Sequence, residues 1–178
     1  IFLALADTIR RCDLPVQLLD DLLTAFRMDV TKSRYENWEE LMAYCRTSAN
    51  PVGRLVLAVF GIRDPEMDRL SDGICTGLQL ANHWQDLSID FLQKDRLYIP
   101  QEMMREYGVS EEELREMGRT GKAGKTGKAG ENFRALMKEL VRRAREQFDQ
   151  GEPLIGRVSG RLRLELKLTL LGGREILE

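Results

Sequence analysis

Apolar residues recur at three- and four-residue intervals through most of the chain, which is the spacing of one face of an α-helix. The first clear case is a five-residue apolar face formed by Leu18, Leu19, Leu22, Leu23 and Phe26. Pro15 suits the first turn of this helix, because an amide at that position has no helical partner to lose. The pattern predicts a helix with this face buried.

A second helix is predicted to begin at Asn37, whose side chain can cap it, with Glu40 three residues further on. Its apolar stripe consists of Leu41, Tyr44, Ser48, Val52, Val56 and Val59. We expect Pro51 to kink this helix, because proline removes one amide donor and its ring crowds the carbonyl four residues back.

A third helix is predicted from Asp64 to about Phe91. Gly73 and Gly77 lie one turn apart within it, and each glycine costs about 1 kcal/mol relative to alanine in a helix. We therefore expect something to approach this helix closely at the two glycines, either another helix or a ligand.

The second half of the chain is also largely helical by pattern. Ser110 and Glu113 have the spacing of a capping box, and the stretch from Phe133 to Phe148 is amphipathic. Residues 96–100 are expected to be extended. Five leucines at alternate positions between 162 and 170 have the period of a strand, whereas the leucine-rich composition and the lack of a second strand favour a helix.

Residues 120–130 contain a six-residue duplication of small and basic residues. The tripeptide Gly124-Lys125-Thr126 resembles the end of a phosphate-binding P-loop, but Arg119 stands where that motif needs a glycine. The interpretation we prefer is a flexible, low-complexity surface loop at 119–131.

Composition narrows the class of protein. The chain is 43% hydrophobic and 31% charged, which is typical of a soluble globular protein, and its formal net charge of −2 disfavours nucleic acid as a partner. Three cysteines without a CxxC pair predict neither a disulfide framework nor a zinc site, so a reducing cytoplasm is expected. The longest apolar stretch, residues 55–62, is too short to cross a bilayer.

Three oxygen-bearing side chains form the candidate chemistry of the third helix. Asn82, Asp86 and Asp90 are spaced four apart, so they lie one turn above each other, and Gln79 lies near the foot of this ladder. We expect no lysine or arginine to neutralise the carboxylates within the ladder. Hard oxygen ligands of this kind suit Mg²⁺, although a solvated polar face is the alternative. The single histidine, His83, is given no role.

These motifs resemble the squalene/phytoene synthase family. Residues 79–90, followed by Arg96-Leu97-Tyr98-Ile99-Pro100, resemble its second aspartate-rich motif, and residues 44–53 resemble its YCxxVAGxVG segment. The sequence around His83 and the stretch Gly160-Arg-Leu-Arg-Leu-Glu-Leu-Lys-Leu are most similar to the bacterial hydroxysqualene synthase branch of hopanoid biosynthesis.

The resemblance implies an all-α isoprenoid synthase fold around an apolar cavity, with residues 1–178 forming a single partial domain cut at both ends. It also implies that the alternating leucines form a helix. It assigns Mg²⁺ to Asn82, Asp86 and Asp90, a phosphate contact to Arg96, and a position beside the metal site to Gln79. Tyr44 would face the reacting carbons, and the cavity wall would be formed by Ala49, Val52, Gly53, Gly77 and Leu78.

The implied activity is conversion of presqualene diphosphate to hydroxysqualene with loss of diphosphate. The alternatives are head-to-head joining of two prenyl diphosphates, as in squalene or phytoene synthases, and a non-catalytic helical scaffold. The implied protein is cytoplasmic, contacts the inner face of the plasma membrane peripherally because its product is apolar, and passes that product to another enzyme.

Two departures from the family pattern concern the site. The family's first aspartate-rich DxxxD motif has no counterpart here, and Asp20, Asp21 and Asp29 have the wrong spacing to replace it. Asp95 stands where the family usually has glycine before Arg96, which weakens the expectation of a phosphate contact.

Overall fold

A computed structural model describes residues 1–120 and 127–178, and within these ranges the chain folds as a set of α-helices. The elements are α1 (Phe2–Cys12), α2 (Val16–Thr31), α3 (Trp38–Ser48), α4 (Asn50–Val59), α5 (Pro65–Gln85), α6 (Leu87–Lys94), α7 (Gln101–Tyr107), α8 (Glu111–Thr120), α9 (Lys128–Gly151), α10 (Pro153–Arg157) and α11 (Gly160–Ile176). The all-α prediction is confirmed for these residues. Their extended pairing is limited to one parallel bridge, between Arg34 and Leu97.

Helix α5 is the centre of the fold, and it packs against α9, α4 and α11. The two glycines in α5 are explained by helix packing. A Cβ atom on Gly73 would lie 2.8 Å from the carbonyl oxygen of Gln147 and 2.9 Å from the amide of Gly151, both on α9. A Cβ atom on Gly77 would lie 2.8 Å from the ring of Phe148. The close approach predicted from the sequence is therefore made by a neighbouring helix.

Two helices predicted as continuous are each divided. The first of these helices is interrupted at Ala49, which separates α3 from α4. Pro51 occupies the first turn of α4. Pro51 thus begins a new helix, where its missing amide costs little, and does not kink a single one. Helix α5 ends at Gln85, and Asp86 joins it to α6 with φ −91° and ψ 8°.

Local sequence signals at the helix ends are confirmed by hydrogen bonds. The Asn37 side chain accepts from the amide of Glu40 at 2.9 Å. Ser110 and Glu113 form the predicted reciprocal capping box, with the Ser110 amide donating to Glu113 at 2.9 Å and the Glu113 amide donating to the Ser110 hydroxyl at 3.2 Å.

The alternating leucines lie in helix α11, so their strand-like period does not describe their structure. Leu162 and Leu170 are buried and Leu166 is partly buried, whereas Leu164 and Leu168 are exposed. Burial therefore follows every fourth residue, as one helix face requires, and the intervening leucines face solvent.

The predicted apolar face of α2 is only partly covered. Leu18 is buried, but Leu23 and Phe26 are 49% and 60% exposed. The described helices also include none that is long and apolar enough to cross a membrane.

Both ends of the loop predicted at 119–131 are helical in the structure. Helix α8 continues to Thr120 and helix α9 begins at Lys128. The remainder of that predicted loop, residues 121–126, lies outside the described residues.

Candidate active site

The ladder of oxygen-bearing side chains is retained across the junction between α5 and α6. The Asp86 amide donates to the Asn82 carbonyl at 2.8 Å, and the Asp90 amide donates to the Asp86 carbonyl at 2.9 Å. These two bonds have the i to i+4 pattern of an α-helix, so Asn82, Asp86 and Asp90 lie on successive turns. Asn82 and Asp86 are exposed, and Asp90 is half-buried.

The expectation that no basic side chain neutralises the ladder is wrong. Lys94 lies one turn after Asp90, and its Nζ donates to Asp90 Oδ1 at 2.8 Å. The sequence already places Lys94 at the i+4 position, which is the favourable geometry for an acid followed by a base. Asp86 and Asn82 make no side-chain hydrogen bond with the described part of the chain.

The donor set of the ladder fits one half of a magnesium site. Two carboxylates and an amide provide hard oxygen ligands without a thiolate. The described residues bring together no group of three or more histidine, cysteine, aspartate or glutamate side chains that could hold a metal ion. The ladder alone therefore offers a partial coordination shell.

A polar network links three separate segments next to the ladder. The Tyr44 hydroxyl donates to Asp29 Oδ1 at 2.9 Å. The Arg96 guanidinium donates to the Asp29 carbonyl at 2.6 Å and to the Tyr98 hydroxyl at 3.3 Å. Arg96, predicted to contact phosphate, is thus held by Asp29 and Tyr98, with a quarter of its side chain exposed.

Burial governs the protonation of the aromatic side chains in this network. Removal from water raises the pKa of the Tyr44 hydroxyl, and Tyr98 and Asp29 raise that pKa further. Burial also raises the pKa of Tyr98. Both phenols remain protonated at neutral pH, so Tyr44 acts as a hydrogen-bond donor and not as a base.

Five aromatic side chains pack against one another, and two of them, Tyr44 and Tyr98, also belong to this network. We call the five rings the aromatic cluster: Tyr35, Tyr44, His83, Trp84 and Tyr98. The His83 ring stacks on the Tyr98 ring with a centroid distance of 3.5 Å and an interplanar angle of 13°. Burial, with a smaller effect of Arg96, lowers the pKa of His83 to about 3, so its imidazole is neutral at pH 7.

Asp29 and Tyr98 belong to the network but were missed as site residues from the sequence. The spacing of Asp29 excludes it as a replacement for the family's first aspartate-rich motif, and no local pattern marks the hydrogen bonds that it makes instead. Its contact with Arg96 spans 67 positions, which no local pattern reveals. Tyr98 lies inside the quoted motif at 96–100, and its position two residues after Arg96 was the available signal.

The residues predicted to line the substrate cavity divide into two groups. Val52, Gly53 and Leu78 line a largely apolar groove of about 220 Å³ between α4, α5 and α11. A Cβ atom on Gly53 would lie 2.3 Å from Ser71 Oγ, so the glycine allows α4 to approach α5. Ala49 is buried away from this groove and Gly77 packs on Phe148.

Gln79 lies one turn before Asn82, as predicted. Its side-chain amide donates to Ser48 Oγ at 3.5 Å, linking α5 to the end of α3. One turn earlier on α5, the Thr76 hydroxyl donates to the buried Asn50 side chain at 2.9 Å. These contacts fix α3 and α4 against the helix that carries the ladder.

An all-α fold with an aspartate ladder next to an arginine and an apolar groove defines an isoprenoid-synthase type of protein. The family model for squalene/phytoene synthase matches residues 1–178, and the chain belongs to that family.

Similar proteins fall into two groups by extent of match. The chain is 56% identical over 94 residues to the hydroxysqualene synthase of Sinorhizobium fredii, and 49% identical over 94 residues to that of Rhodopseudomonas palustris. Each match covers 53% of this chain and 32% of the relative. The chain is also 32% identical to the chloroplastic phytoene synthase of Narcissus pseudonarcissus, over 98% of its length and 40% of that relative.

A solved structure has the same fold. The squalene synthase HpnC from Alicyclobacillus acidocaldarius superposes with a TM-score of 0.88 at 41% identity, covering 99% of this chain. The chain spans 63% of that structure, so it corresponds to only part of the relatives that it matches.

Proposed function

We propose that the complete protein is a Mg²⁺-dependent isoprenoid synthase that converts presqualene diphosphate to hydroxysqualene and diphosphate. The observation that carries this proposal is the ladder of Asn82, Asp86 and Asp90 lying close to Arg96 and the aromatic cluster. The identity to two hydroxysqualene synthases, at 56% and 49%, supports this branch of the family.

The ladder residues Asn82, Asp86 and Asp90 would hold the metal. Bound Mg²⁺ neutralises charge on a diphosphate leaving group. Lys94 keeps Asp90 in place through its ion pair, while Asp86 and Asn82 remain open to solvent. Gln79 lies one turn before Asn82 on α5 and would add a further polar side chain beside the ladder.

Arg96 would stabilise the departing diphosphate by a charge-assisted hydrogen bond from its partly exposed guanidinium. Asp29 and Tyr98 orient this guanidinium before substrate arrives, which lowers the reorganisation needed during reaction. Tyr44 would present its ring to the reacting carbons while its hydroxyl stays bound to Asp29.

The reaction is a substitution at carbon. The carbon–oxygen bond to diphosphate breaks with its electron pair on the diphosphate, and the resulting carbocation rearranges in an apolar environment. A water oxygen then bonds to the cationic carbon, and its extra proton leaves with the diphosphate. The groove lined by Val52, Gly53 and Leu78 would hold part of the hydrocarbon chain.

The second candidate is head-to-head joining of two prenyl diphosphates. The phytoene synthase similarity favours it, because that match extends over 98% of this chain whereas the hydroxysqualene synthase matches extend over 53%. In either case the product is apolar, and we propose a peripheral contact with the inner face of the plasma membrane and transfer to a later enzyme.

Product identification separates the two candidates. The complete protein should be incubated with Mg²⁺ and, in separate reactions, with presqualene diphosphate, farnesyl diphosphate or geranylgeranyl diphosphate. Hydroxysqualene from presqualene diphosphate, with no product from the two prenyl diphosphates, supports the first proposal. A C30 or C40 hydrocarbon from the prenyl diphosphates supports the second, and no diphosphate release from any substrate contradicts both.

A further inference from the structure

His83 has a buried nitrogen without a partner. The residue is 6% exposed, and its Nε2 atom makes no hydrogen bond with any described residue. Buried polar side-chain atoms are paired with protein or ordered water in the large majority of cases. The free nitrogen therefore indicates a partner that is not part of the described chain.

The surroundings of His83 contain few other groups able to bind that partner. Tyr98 stacks on the imidazole, and the Tyr44 ring centroid lies 6.1 Å from it. The Tyr44 hydroxyl is already bound to Asp29 and the Tyr98 hydroxyl to Arg96. The His83 Nε2 atom is thus a buried, unpaired nitrogen beside two hydroxyls that each already make one hydrogen bond.

His83 lies next to the candidate active site but not in its ladder. It follows Asn82 directly, so its side chain lies about 100° around α5 from the ladder face. This direction takes the imidazole into the aromatic cluster, where Tyr44 and Tyr98 also lie, and away from the ligands proposed for Mg²⁺.

We propose that His83 is a positioning residue that binds the water molecule which captures the carbocation. This inference rests on the proposed hydroxysqualene synthase function. A neutral imidazole with its proton on Nδ1 accepts a hydrogen bond at Nε2, so a lone pair of the bound water is free for the cation. The water oxygen forms the new carbon–oxygen bond, and the proton it loses leaves with the diphosphate. Stacking on Tyr98 fixes the plane of the ring.

The test compares product ratios in variants of the complete protein incubated with presqualene diphosphate and Mg²⁺. His83→Phe keeps a flat ring against Tyr98 but removes the nitrogen. We expect diphosphate release to stay within about twofold of wild type, and the ratio of alcohol to hydrocarbon to fall about fivefold to tenfold, as loss of one hydrogen bond predicts. The hydrocarbon arises when the cation loses a proton to diphosphate.

Trp38→Phe is the control, because it shortens an aromatic side chain outside the aromatic cluster, whose ring lies 4.7 Å from the Arg143 guanidinium. We expect Trp38→Phe to leave the product ratio unchanged.

A second pair of variants distinguishes water binding from a purely structural role. His83→Gln retains a strong oxygen acceptor and His83→Met has a similar length with only a weak sulfur acceptor, so the glutamine variant should keep more alcohol than the methionine variant. Equal ratios in this pair, or an unchanged ratio in His83→Phe, would overturn the proposal. If the wild-type protein makes no hydroxysqualene, the proposed function itself fails, and this outcome is separate from a variant effect.

Discussion

The Tyr44 hydroxyl on α3 donates a hydrogen bond to Asp29 Oδ1 in the last turn of α2, at 2.9 Å. The same aspartate accepts a bond from Arg96 through its backbone carbonyl at 2.6 Å. Asp29 thus connects a ring proposed to face the substrate with the guanidinium proposed to contact diphosphate. Through this connection α2 would help to position two side chains of the proposed site.

We predict that Tyr44→Phe lowers the free energy of unfolding of the complete protein by about 2 kcal/mol, because hydrogen bonds to charged groups contribute about 1.5–3 kcal/mol. Urea denaturation measures this change. Asp29→Asn is the comparison, since its amide oxygen still accepts from Tyr44. A Tyr44→Phe protein as stable as wild type, with the same denaturant slope, would show that the bond contributes nothing.

Gly73 should be intolerant of any side chain. Its Cβ would lie within 3 Å of two backbone atoms of α9, so Gly73→Ala is expected to cost about 1–3 kcal/mol through overpacking. Gly172→Ala on α11 is the control, because no described atom beyond its chain neighbours and the nearby backbone of α11 lies within 4 Å of its Cβ position. Thermal unfolding should show a lower Tm for Gly73→Ala and an equal or higher Tm for Gly172→Ala. The reverse order would contradict the packing of α5 on α9.

Asp95 combines a left-handed backbone, with φ 49°, and ion pairs to Arg34 and Arg115 at 2.8 and 2.7 Å. The usual glycine of the family fits this backbone, and aspartate and asparagine tolerate it better than other side chains. We predict that Asp95→Asn lowers Tm slightly and that Asp95→Ala lowers it by several degrees more. Equal Tm values for the two variants would show that the left-handed backbone at residue 95 does not affect stability.

Glu139 provides a pH-dependent contribution to stability. Hydrogen bonds from Arg142, and then from Arg143, lower the pKa of its carboxyl to about 2, compared with about 4.3 in an unfolded chain. The contribution is therefore complete above about pH 5 and is lost as the pH falls towards 2. We expect Glu139→Gln to cost about 1 kcal/mol at pH 7, since these ion pairs are near the surface.

Urea denaturation of wild type and Glu139→Gln between pH 7 and pH 2.5 checks this prediction. The difference between the two proteins should shrink as the pH falls. A difference that is constant with pH would indicate that Glu139 acts through packing and not through its charge.

The sequence predicted those features that depend on neighbouring residues. The Asn37 cap and the Ser110–Glu113 capping box need only three-residue spacing, and both form as expected. The alternating leucines of α11 show the limit of periodicity, because exposed Leu164 and Leu168 imitate the pattern of a strand. Resemblance to the family gave the correct helix where the pattern left both possibilities open.

Features that depend on distant residues could not be predicted from local pattern. The helix break at Asp86 preserves the ladder's hydrogen bonds, so the four-residue spacing alone cannot distinguish it from a continuous helix. The partner of Arg96 lies on α2, and the stacking of His83 on Tyr98 joins α5 to the segment after α6. Chain topology determines these contacts, so they were visible only in the structure.

If the ladder holds the metal that assists diphosphate departure, Asp86→Asn removes the charge of one ligand and should slow that step. Diphosphate release from presqualene diphosphate should be measured in the complete protein over a range of Mg²⁺ concentrations, with the exposed Asp20→Asn as control. We predict that Asp86→Asn releases diphosphate at least about 100-fold more slowly at any given Mg²⁺ concentration, while Asp20→Asn matches wild type. Release by Asp86→Asn at the wild-type rate, with an unchanged Mg²⁺ requirement, would show that the ladder does not hold the metal.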